Sequence, residues 1–314
     1  MEPHDVVGSI LRKITNHHSC QRRIGQGPPQ RSKAADLVFA VQRKDCAALE
    51  NLVNNGADPN SALQSVTPLA YAVWEGLVDC VATLLRLGAN PNLRAIDNAG
   101  RMEPPLMSAI RLGHPSSICV LLLENGADTN AKDFYGHTPL WAAVYSRRGD
   151  IIRLVLRHGA KVREWDRGKE VTPIWSECPL YQAILQGRQL WKFLVSAGAS
   201  PRAVDGNGLA PLHHAVKRGD FEMVKHLVLG LGAPPVPPFG MERDAWLSDE
   251  VTTEIREWLL NEMQSPAPLI RICRLRIRLH LSECNDGRAV PLYIRRLPLP
   301  QQLIRYLLLD PLEP

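Results

Sequence analysis

The chain is 314 residues long, 45% hydrophobic and 22% charged, a composition typical of soluble proteins. Its formal net charge of +5 is small and dispersed, whereas nucleic-acid binding requires a concentrated basic stripe. The seven cysteines are widely spaced and include no Cys-x-x-Cys pair, so they indicate neither a disulfide framework nor a zinc site. No apolar run reaches the roughly 18 residues that a membrane-spanning helix needs.

The cysteine pattern and the N-terminal segment also predict where the protein works. Unpaired cysteines favour a reducing compartment, and residues 1–16 lack the apolar core and the cleavage site of a secretion signal. We therefore expect a cytoplasmic location, with the nucleus as an additional one. Residues 1–32 either extend a recognition surface or are disordered, since Val6, Ile10 and Ile14 stand at helix-like spacing in a polar segment.

A Pro-Leu pair followed about 19 residues later by Gly-Ala repeats along the chain. Successive leucines are separated by 32, 37, 34, 40 and 32 residues, and the first unit keeps only the second half of the pattern. This loose period, and the Thr-Pro-Leu that opens two of the units, resembles the ankyrin repeat. The resulting expectation is an all-α ankyrin solenoid over residues 33–233, with about six units at 34–60, 66–92, 102–130, 136–163, 177–201 and 209–233.

Local chemistry supports two helices in each unit. Thr67 and Thr138 precede a proline, so the hydroxyl can accept amide protons at the helix start while the proline occupies the first turn. A glycine after the second helix offers the left-handed turn of a C-cap. The wide spacing before Leu180 marks an insertion at residues 161–176, and Cys178-Pro179-Leu180 is predicted as the true helix start that follows it.

The sequence offers no convincing catalytic or metal site. We find no nucleophile with a matched base, no phosphate-binding glycine loop and no paired carboxylates. His213 stands where ankyrin histidines hydrogen-bond the loop backbone, so its predicted role is structural. We therefore expect a protein that is not an enzyme and has no cofactor or metal. The alternative left open is an unrecognised enzyme site between Glu164 and Cys178.

Residues 234–264 should end the stack of repeats. The run Pro234-Pro235-Val236-Pro237-Pro238 cannot continue a helix and predicts a stiff connector. A helix is then expected to start at Ser248 and to close the end of the stack. Its apolar stripe is Ile255, Trp258, Leu259 and Met263.

Residues 267–281 predict a helix with an unusually wide apolar surface. Its apolar residues span an arc of about 240°, while Arg271, Arg274 and Arg278 share the remaining side. Such a helix needs two partners. The chain itself can supply one, through Ile272, Leu275 and Leu279, and Leu269 and Cys273 are expected to enter an external groove.

A second segment, residues 297–308, begins with Leu297-Pro298-Leu299-Pro300. The two segments in this order resemble the BC-box and the cullin box of a SOCS box, here residues 265–314, and the whole chain resembles the ankyrin repeat and SOCS box family. In that family the BC-box binds elongin C, and Leu-Pro-Leu-Pro favours cullin-5 over cullin-2. The resemblance assigns Leu269, Ile272, Cys273, Ile277 and Leu281 to elongin C, and Leu297, Pro298, Leu299, Pro300, Leu303, Tyr306 and Leu307 to the cullin.

The resemblance implies a substrate-recognition adaptor of a ubiquitin ligase. Its partners would be elongin C, elongin B, cullin-5, a RING-box protein and a target protein held by the repeats for ubiquitination and proteasomal degradation. The rival reading is an ankyrin scaffold whose C-terminal helices only cap the stack. Exposed positions of the repeats predict the target surface, unless these side chains merely pack between helices: Tyr71, Trp74, Arg111, Tyr145, Trp165 and His214.

Overall fold

The computed structural model describes most of the chain from residue 33 to residue 308. The described residues are 33–63, 65–96, 102–162, 178–187, 189–199, 204, 208–238, 242, 246–247, 251–264, 269–285 and 288–308, with the backbone alone at positions 270, 282 and 283. They form two compact units, residues 1–105 and 106–314, which we describe separately. None of the described helices has the length and apolar character that crossing a membrane requires.

The first unit contains two helical pairs and a short hairpin. Its helices are α1 Lys33–Gln42, α2 Cys46–Asn54, α3 Pro68–Trp74 and α4 Val78–Arg86. The inner helices α1 and α3 pack on each other, as do the outer helices α2 and α4. Strands β1 Ala95–Ile96 and β2 Met102–Glu103 pair antiparallel, with Ala95 opposite Glu103.

The second unit continues the same pattern and adds the C-terminal helices. Among its inner helices, α7 packs on α9 and α9 on α11, while the outer helices pack in the series α6, α8, α10. The repeat helices are α5 Pro105–Arg111, α6 Ser116–Glu124, α7 Pro139–Tyr145, α8 Gly149–Arg157, α9 Pro179–Gln186, α10 Trp191–Ala197, α11 Pro211–Lys217 and α12 Phe221–Lys225, which passes into a π-helix, His226–Gly230.

Helix starts follow the chemistry expected from the sequence. Thr67 accepts the amide of Ala70 at 3.1 Å, and Thr138 accepts the amide of Trp141 at 3.3 Å. The predicted threonine caps are confirmed, and so is the start of α9 at Pro179. The core lies between inner and outer helices, where one leucine or valine of each outer helix is completely buried: Leu49, Leu84, Leu122, Val155, Leu194 and Leu227.

His213 has the structural role that its position predicts. Its Nδ1 accepts the backbone N–H of Ala210 at 2.8 Å, and its Nε2 lies 3.0 Å from the carbonyl oxygen of Val236. The ring therefore donates from Nε2 and links the start of α11 to the proline-rich connector. This contact helps to hold residues 232–238, which form neither helix nor strand.

The structure contains a helix in the region predicted to cap the stack. Helix α13 is Thr253–Gln264, and the predicted start at Ser248 lies outside the described residues. Val251 is buried and precedes the helix, so this part of the chain packs against the fold before the helix begins. The predicted apolar stripe is correct at Ile255 and Leu259, which are fully buried. Helix α13 packs on α12 and so lies against the last repeat.

The C-terminal tail, residues 269–308, consists of three helices around a small core of its own. They are α14 Leu269–Cys284, α15 Pro291–Ile294 and α16 Gln301–Leu308. The tail core is formed by Val290, Ile294, Ile304 and Leu307. Further apolar residues pack around it: Leu281, Leu297, Leu299 and Leu308.

Candidate functional site

Helix α14 has an exposed apolar face. Leu269 is 75% exposed and Ile272 is 50% exposed, although both are large aliphatic residues. Cys273 and Ile277 are exposed beside them. At 100° per residue these four side chains fall within an arc of about 140°, and we call them the docking face. Concentrated apolar exposure of this kind marks a surface that a partner covers.

The opposite face of α14 is basic and points inward. The helical wheel places Arg271, Arg274 and Arg278 on one side of the helix, and in the structure Arg278 is only 4% exposed. The expectation that Ile272 packs on the chain itself is wrong, because half of its surface is exposed. Arginines, together with Leu275, occupy the inward face instead.

Arg278 joins three helices through backbone carbonyls. Its Nη1 donates to the carbonyl of Leu307 at 2.6 Å, and its Nη2 donates to those of Ser196 at 2.8 Å and Val195 at 3.3 Å. These carbonyls lie at the C-terminal ends of α16 and α10, where helices leave acceptors unpaired. Burial lowers the pKa of Arg278 to about 10, with Arg274 as a lesser cause, so the side chain stays charged at neutral pH.

Two further arginines anchor the first half of α14. Arg274 donates to the carbonyl of Leu229 in the π-helix at 2.6 Å, and its guanidinium lies 4.6 Å from the ring centroid of Tyr306. Burial lowers the pKa of Arg274 as well. Arg271 forms a 2.7 Å ion pair with Glu262 of α13. The helix is thus fixed to the repeat stack, to α16 and to α13.

Two glycines allow the tail to approach the repeats closely. A Cβ on Gly198 would lie 2.8 Å from Cγ2 of Val290, and one on Gly232 would lie 3.0 Å from Cδ1 of Leu275. Both have positive φ angles, 91° and 69°, and each follows an outer helix. The amide of Val290 also donates to the carbonyl of Ala197 at 3.1 Å. The tail therefore packs directly on the ends of the outer helices.

The residues assigned to the cullin have two different environments. Pro298, Pro300 and Leu303 are exposed. Leu297 and Leu299 are half-buried against the tail core, and Leu307 belongs to that core. Tyr306 is half-buried beside Arg274. Leu281, assigned to elongin C, likewise packs against the tail core. Partner contacts of all these residues stay predictions. The buried residues among them stabilise the tail itself, because they pack in or against its core.

The residues predicted to contact a target are scattered between core and surface. Tyr71 lies in the core at 6% exposure, and this burial raises its pKa to about 12, so its predicted surface role is not supported. His214 is half-buried and packs edge-on against Tyr181. Trp74 is half-buried, whereas Arg111 and Tyr145 are exposed. Trp165, with most of the insertion, lies outside the described residues, as does the segment 1–32.

A stack of aromatic rings beside Tyr145 was missed by the sequence analysis. The ring of Trp141 lies between His137, at a centroid distance of 3.6 Å, and Tyr145, at 5.0 Å. Tyr135 lies 5.9 Å from His137, and Phe134 extends the series. The i,i+4 spacing of Trp141 and Tyr145 on a helix could have indicated the first contact. The loop rings required the structure, because a turn brings them onto that helix.

We find no sign of a metal centre in the part of the chain that the structure describes. Nowhere among those residues do three His, Cys, Asp or Glu side chains come close enough to hold a metal ion. Helix α14 does bring Cys284 to within 3.4 Å of Nε2 of His280. These two residues are one turn apart on the helix, and the pair alone does not form a site.

Comparison with known families agrees with this architecture. Models of ankyrin repeats match residues 66–96, 95–166 and 180–228, and the SOCS box model matches residues 265–308. The ankyrin repeat domain of Bcl-3, a member of the IκB family, shares the fold with a TM-score of 0.51 at 23% identity, over 72% of this chain and 97% of that domain.

The chain is also similar to several curated proteins. The human transient receptor potential cation channel subfamily A member 1 is 31% identical over 168 residues, which is 51% of this chain and 14% of the channel. The putative ankyrin repeat protein FPV223 of fowlpox virus (strain NVSL) is 32% identical over 122 residues, 38% of this chain and 79% of that protein. The chain spans between 14% and 39% of the longer relatives that it matches. With its repeats and its tail both matched, the chain belongs to the ankyrin repeat and SOCS box family.

Proposed function

We propose that this protein is the substrate-recognition adaptor of a ubiquitin ligase built on elongins B and C, cullin-5 and a RING-box protein. Ankyrin repeats joined to a SOCS box are the architecture of such an adaptor. The observation that carries the proposal is the inverted polarity of α14. Its arginines are fixed to the fold, and its docking face is left uncovered.

The docking face suits the groove of a helix-binding partner. Burying each large aliphatic side chain contributes about 1.5–3 kcal/mol, so Leu269, Ile272 and Ile277 together can support a stable complex. Cys273 is small and polarizable, which fits a tight apolar pocket. Elongin C is the partner that the SOCS box implies, and elongin B accompanies it.

The cullin box would present a second, smaller contact. Pro298, Pro300 and Leu303 are exposed, whereas Leu297 and Leu299 rest on the tail core. The prolines restrict the backbone ahead of α16 and so fix the direction in which Leu303 points. We assign the cullin contact to these three exposed residues, and Leu-Pro-Leu-Pro favours cullin-5 as the cullin.

Anchoring of the tail explains how an adaptor without chemistry of its own could act. The RING-box protein and its ubiquitin-conjugating enzyme would supply the transfer reaction. The adaptor would hold a target on the repeats, which raises the effective concentration of target lysines near the conjugating enzyme. The arginine contacts from α14 to α10 and the π-helix limit how far the ligase and the target can move apart. Proteasomal degradation of the target would follow.

Binding of purified elongin B–elongin C to the full chain tests the first contact. We expect Leu269→Asp and Cys273→Asp each to weaken binding by about tenfold or more, since a carboxylate would enter an apolar pocket without a partner. Arg295→Ala, an exposed change elsewhere on the tail, is the control and should bind normally. If the wild-type chain does not bind the elongins, the protein is an ankyrin scaffold and the adaptor proposal is wrong.

A second binding step separates the cullin contact from the elongin contact. The preformed complex with elongins is mixed with cullin-5 or with cullin-2, each bound to the RING-box protein. We expect cullin-5 to bind more tightly, and Leu303→Asp to abolish that binding while elongin binding persists, because Leu303 is exposed and lies outside α14. Equal binding of the two cullins would contradict the assignment of cullin-5.

A further inference from the structure

The aromatic stack of Phe134, Tyr135, His137, Trp141 and Tyr145 is largely solvent-exposed at both ends. Phe134 is 77% exposed at one end and Tyr145 is 57% exposed at the other. Large aromatic residues are expensive to leave in water, and they are frequent at the centre of protein interfaces. This stack lies within the second unit, on α7 and on the loop that precedes it.

The loop is held in a fixed shape before any partner binds. The carboxylate of Asp133 accepts the amides of Tyr135 and His137, both at 2.8 Å, and its second oxygen lies 3.2 Å from Nδ1 of His137. His137 then stacks on Trp141. A pre-organised surface loses little conformational entropy on binding, which favours affinity.

The charged side chains on the inner helices of the second unit are basic. Helices α5, α7, α9 and α11 contain neither Asp nor Glu. The positions five residues after the leucine of each Pro-Leu pair are all exposed on these helices. They form a row of Arg111, Tyr145, Leu185 and Lys217. The carboxylate of Asp133 keeps its charge but is only 10% exposed, because it accepts the amides of its own loop.

The length of this row suits an extended chain. Helices α7, α9 and α11 pack in series, and neighbouring helices lie about 8–10 Å apart, so a row over four helices at that spacing spans about 25–30 Å. An extended chain advances about 3.3 Å per residue and covers that distance with about eight residues. Arg111 and Lys217 at the two ends can pair with carboxylates, while Tyr145 and Leu185 between them offer apolar contact.

We propose that this surface binds an acidic, extended segment of the target protein, whose carboxylates meet Arg111 and Lys217 and whose apolar side chains lie on Tyr145 and the aromatic stack. The inference deepens the proposed function. It rests on that function in one respect only, namely that the bound protein is a target of the ligase. A nucleic acid fits less well. The inner rings already face one another, which leaves few free faces for bases, and the row places only two cations beside two apolar residues.

Selection of peptides on the full chain tests the proposal without any ligase component. A library of random peptides is selected on immobilised wild-type protein, and the enriched sequences are synthesised for affinity measurement. We expect sequences in which acidic and apolar residues are combined. Their affinity should fall about tenfold or more in Tyr145→Ala and in Lys217→Glu.

Matched controls make the result decisive. Arg295→Glu makes the same charge change as Lys217→Glu on the tail and should leave peptide affinity unchanged. Tyr145→Ala and Lys217→Glu should both bind elongin B–elongin C normally. Failure of the peptide-binding inference can therefore be distinguished from failure of the adaptor proposal. No enrichment, enrichment of basic peptides, or affinity that survives both variants would overturn the inference. So would displacement of the peptides by a single-stranded oligonucleotide at lower concentration.

Discussion

Arg278 shows how one residue can connect distant parts of a chain. A guanidinium has five N–H donors in a rigid fork, so it can serve carbonyls from two helix ends at once, which a lysine cannot do with the same geometry. Here those carbonyls belong to Val195 and Ser196 on one side and to Leu307 on the other. The charge is tolerated because the C-terminal ends of helices carry partial negative charge.

Replacing Arg278 by methionine should therefore destabilise the fold, because the buried carbonyls that it serves lose a hydrogen-bond donor. The substitution keeps most of the volume but removes the arginine donor from the carbonyls of Ser196 and Leu307, whereas the carbonyl of Val195 keeps the amide of Gly198 at 3.0 Å. We expect the free energy of unfolding to fall by about 2–4 kcal/mol. Urea unfolding measures this difference. Arg276→Ala, an exposed change on the same helix, should remain within about 0.5 kcal/mol of the wild type. Equal effects of the two variants would show that Arg278 is not an anchor.

The cysteines should differ sharply in reactivity. Burial raises the pKa of Cys119 to about 11 and is the main cause that raises the pKa of Cys80 to about 12, with Cys46 as a lesser one, so both remain neutral thiols at mildly alkaline pH. Cys273 and Cys284 are exposed. Because the thiolate is the reactive species, we expect iodoacetamide to label Cys273 and Cys284 before Cys80 and Cys119, as mass spectrometry of the native protein can follow.

The same labelling experiment reports on the docking face. If Cys273 enters a pocket of elongin C, saturating elongin B–elongin C should slow its alkylation strongly while the unfolded chain stays fully reactive. Cys284 lies on the same side of the helix but 11 residues beyond Cys273, about 16 Å along the axis, and is the internal control. Rapid labelling of Cys80 in the native protein would contradict its burial.

At the scale of elements, the outer-helix ends are where repeats and tail meet. Gly198 and Gly126 both follow an outer helix with similar φ angles, 91° and 86°. Only Gly198 is crowded, since a Cβ there would lie 2.8 Å from Val290, whereas a Cβ on Gly126 would meet nothing within 4 Å. Comparing substitutions at the two glycines therefore separates the cost of backbone strain from the cost of crowding against the tail.

Alanine at these two glycines should have unequal effects. Both variants force a left-handed backbone on alanine, at a cost of about 1–2 kcal/mol. Gly198→Ala should lose about 1–3 kcal/mol more, because Val290 must move. Chemical denaturation measures both values, and proteolysis of the tail shows where the extra loss falls. Equal losses of unfolding free energy in the two variants would mean that Val290 moves away from the added Cβ at no measurable cost.

The helices of the repeats could be predicted because their signals are local. Thr138 and Pro139 start a helix through atoms within one turn, and α9 could be located from the spacing of small residues after Pro179. The inward face of α14 could not be predicted in this way. A helical wheel sorts residues by polarity, but Arg278 is buried against carbonyls of Val195 and Ser196, which lie more than 80 residues earlier in the sequence.

Non-local contacts also limited the prediction of the target surface. Trp74 and Tyr145 both lie five residues after the leucine that opens their inner helix, yet Trp74 is half-buried and Tyr145 is exposed. The repeat pattern cannot distinguish them, because their exposure depends on the neighbouring repeat. The SOCS box residues were easier to place, since two short motifs occur in a fixed order and the exposed positions follow from which face the arginines anchor.

At the scale of the second unit, the tail and the last repeats should unfold as coupled parts. The stability of a repeat stack is approximately a sum of the stabilities of its repeats and of the interfaces between them. Losing one interface therefore destabilises the adjacent repeats most. The tail supplies donors to α10 and to the π-helix through Arg278 and Arg274. Within the described residues, no arginine of the tail donates a hydrogen bond to α6.

Disrupting the tail core should therefore loosen the last repeats selectively. Ile294 is completely buried in that core, so Ile294→Asp places a carboxylate where it has no partner and should unfold the tail. We expect hydrogen exchange to quicken in α10 and the π-helix while α6 stays protected, because the helices that lose their arginine donors open first. Arg295→Asp, the neighbouring exposed position, should leave the exchange pattern unchanged. Uniform acceleration over α6, α10 and the π-helix would instead indicate one cooperative unit, in which the tail stabilises all repeats equally.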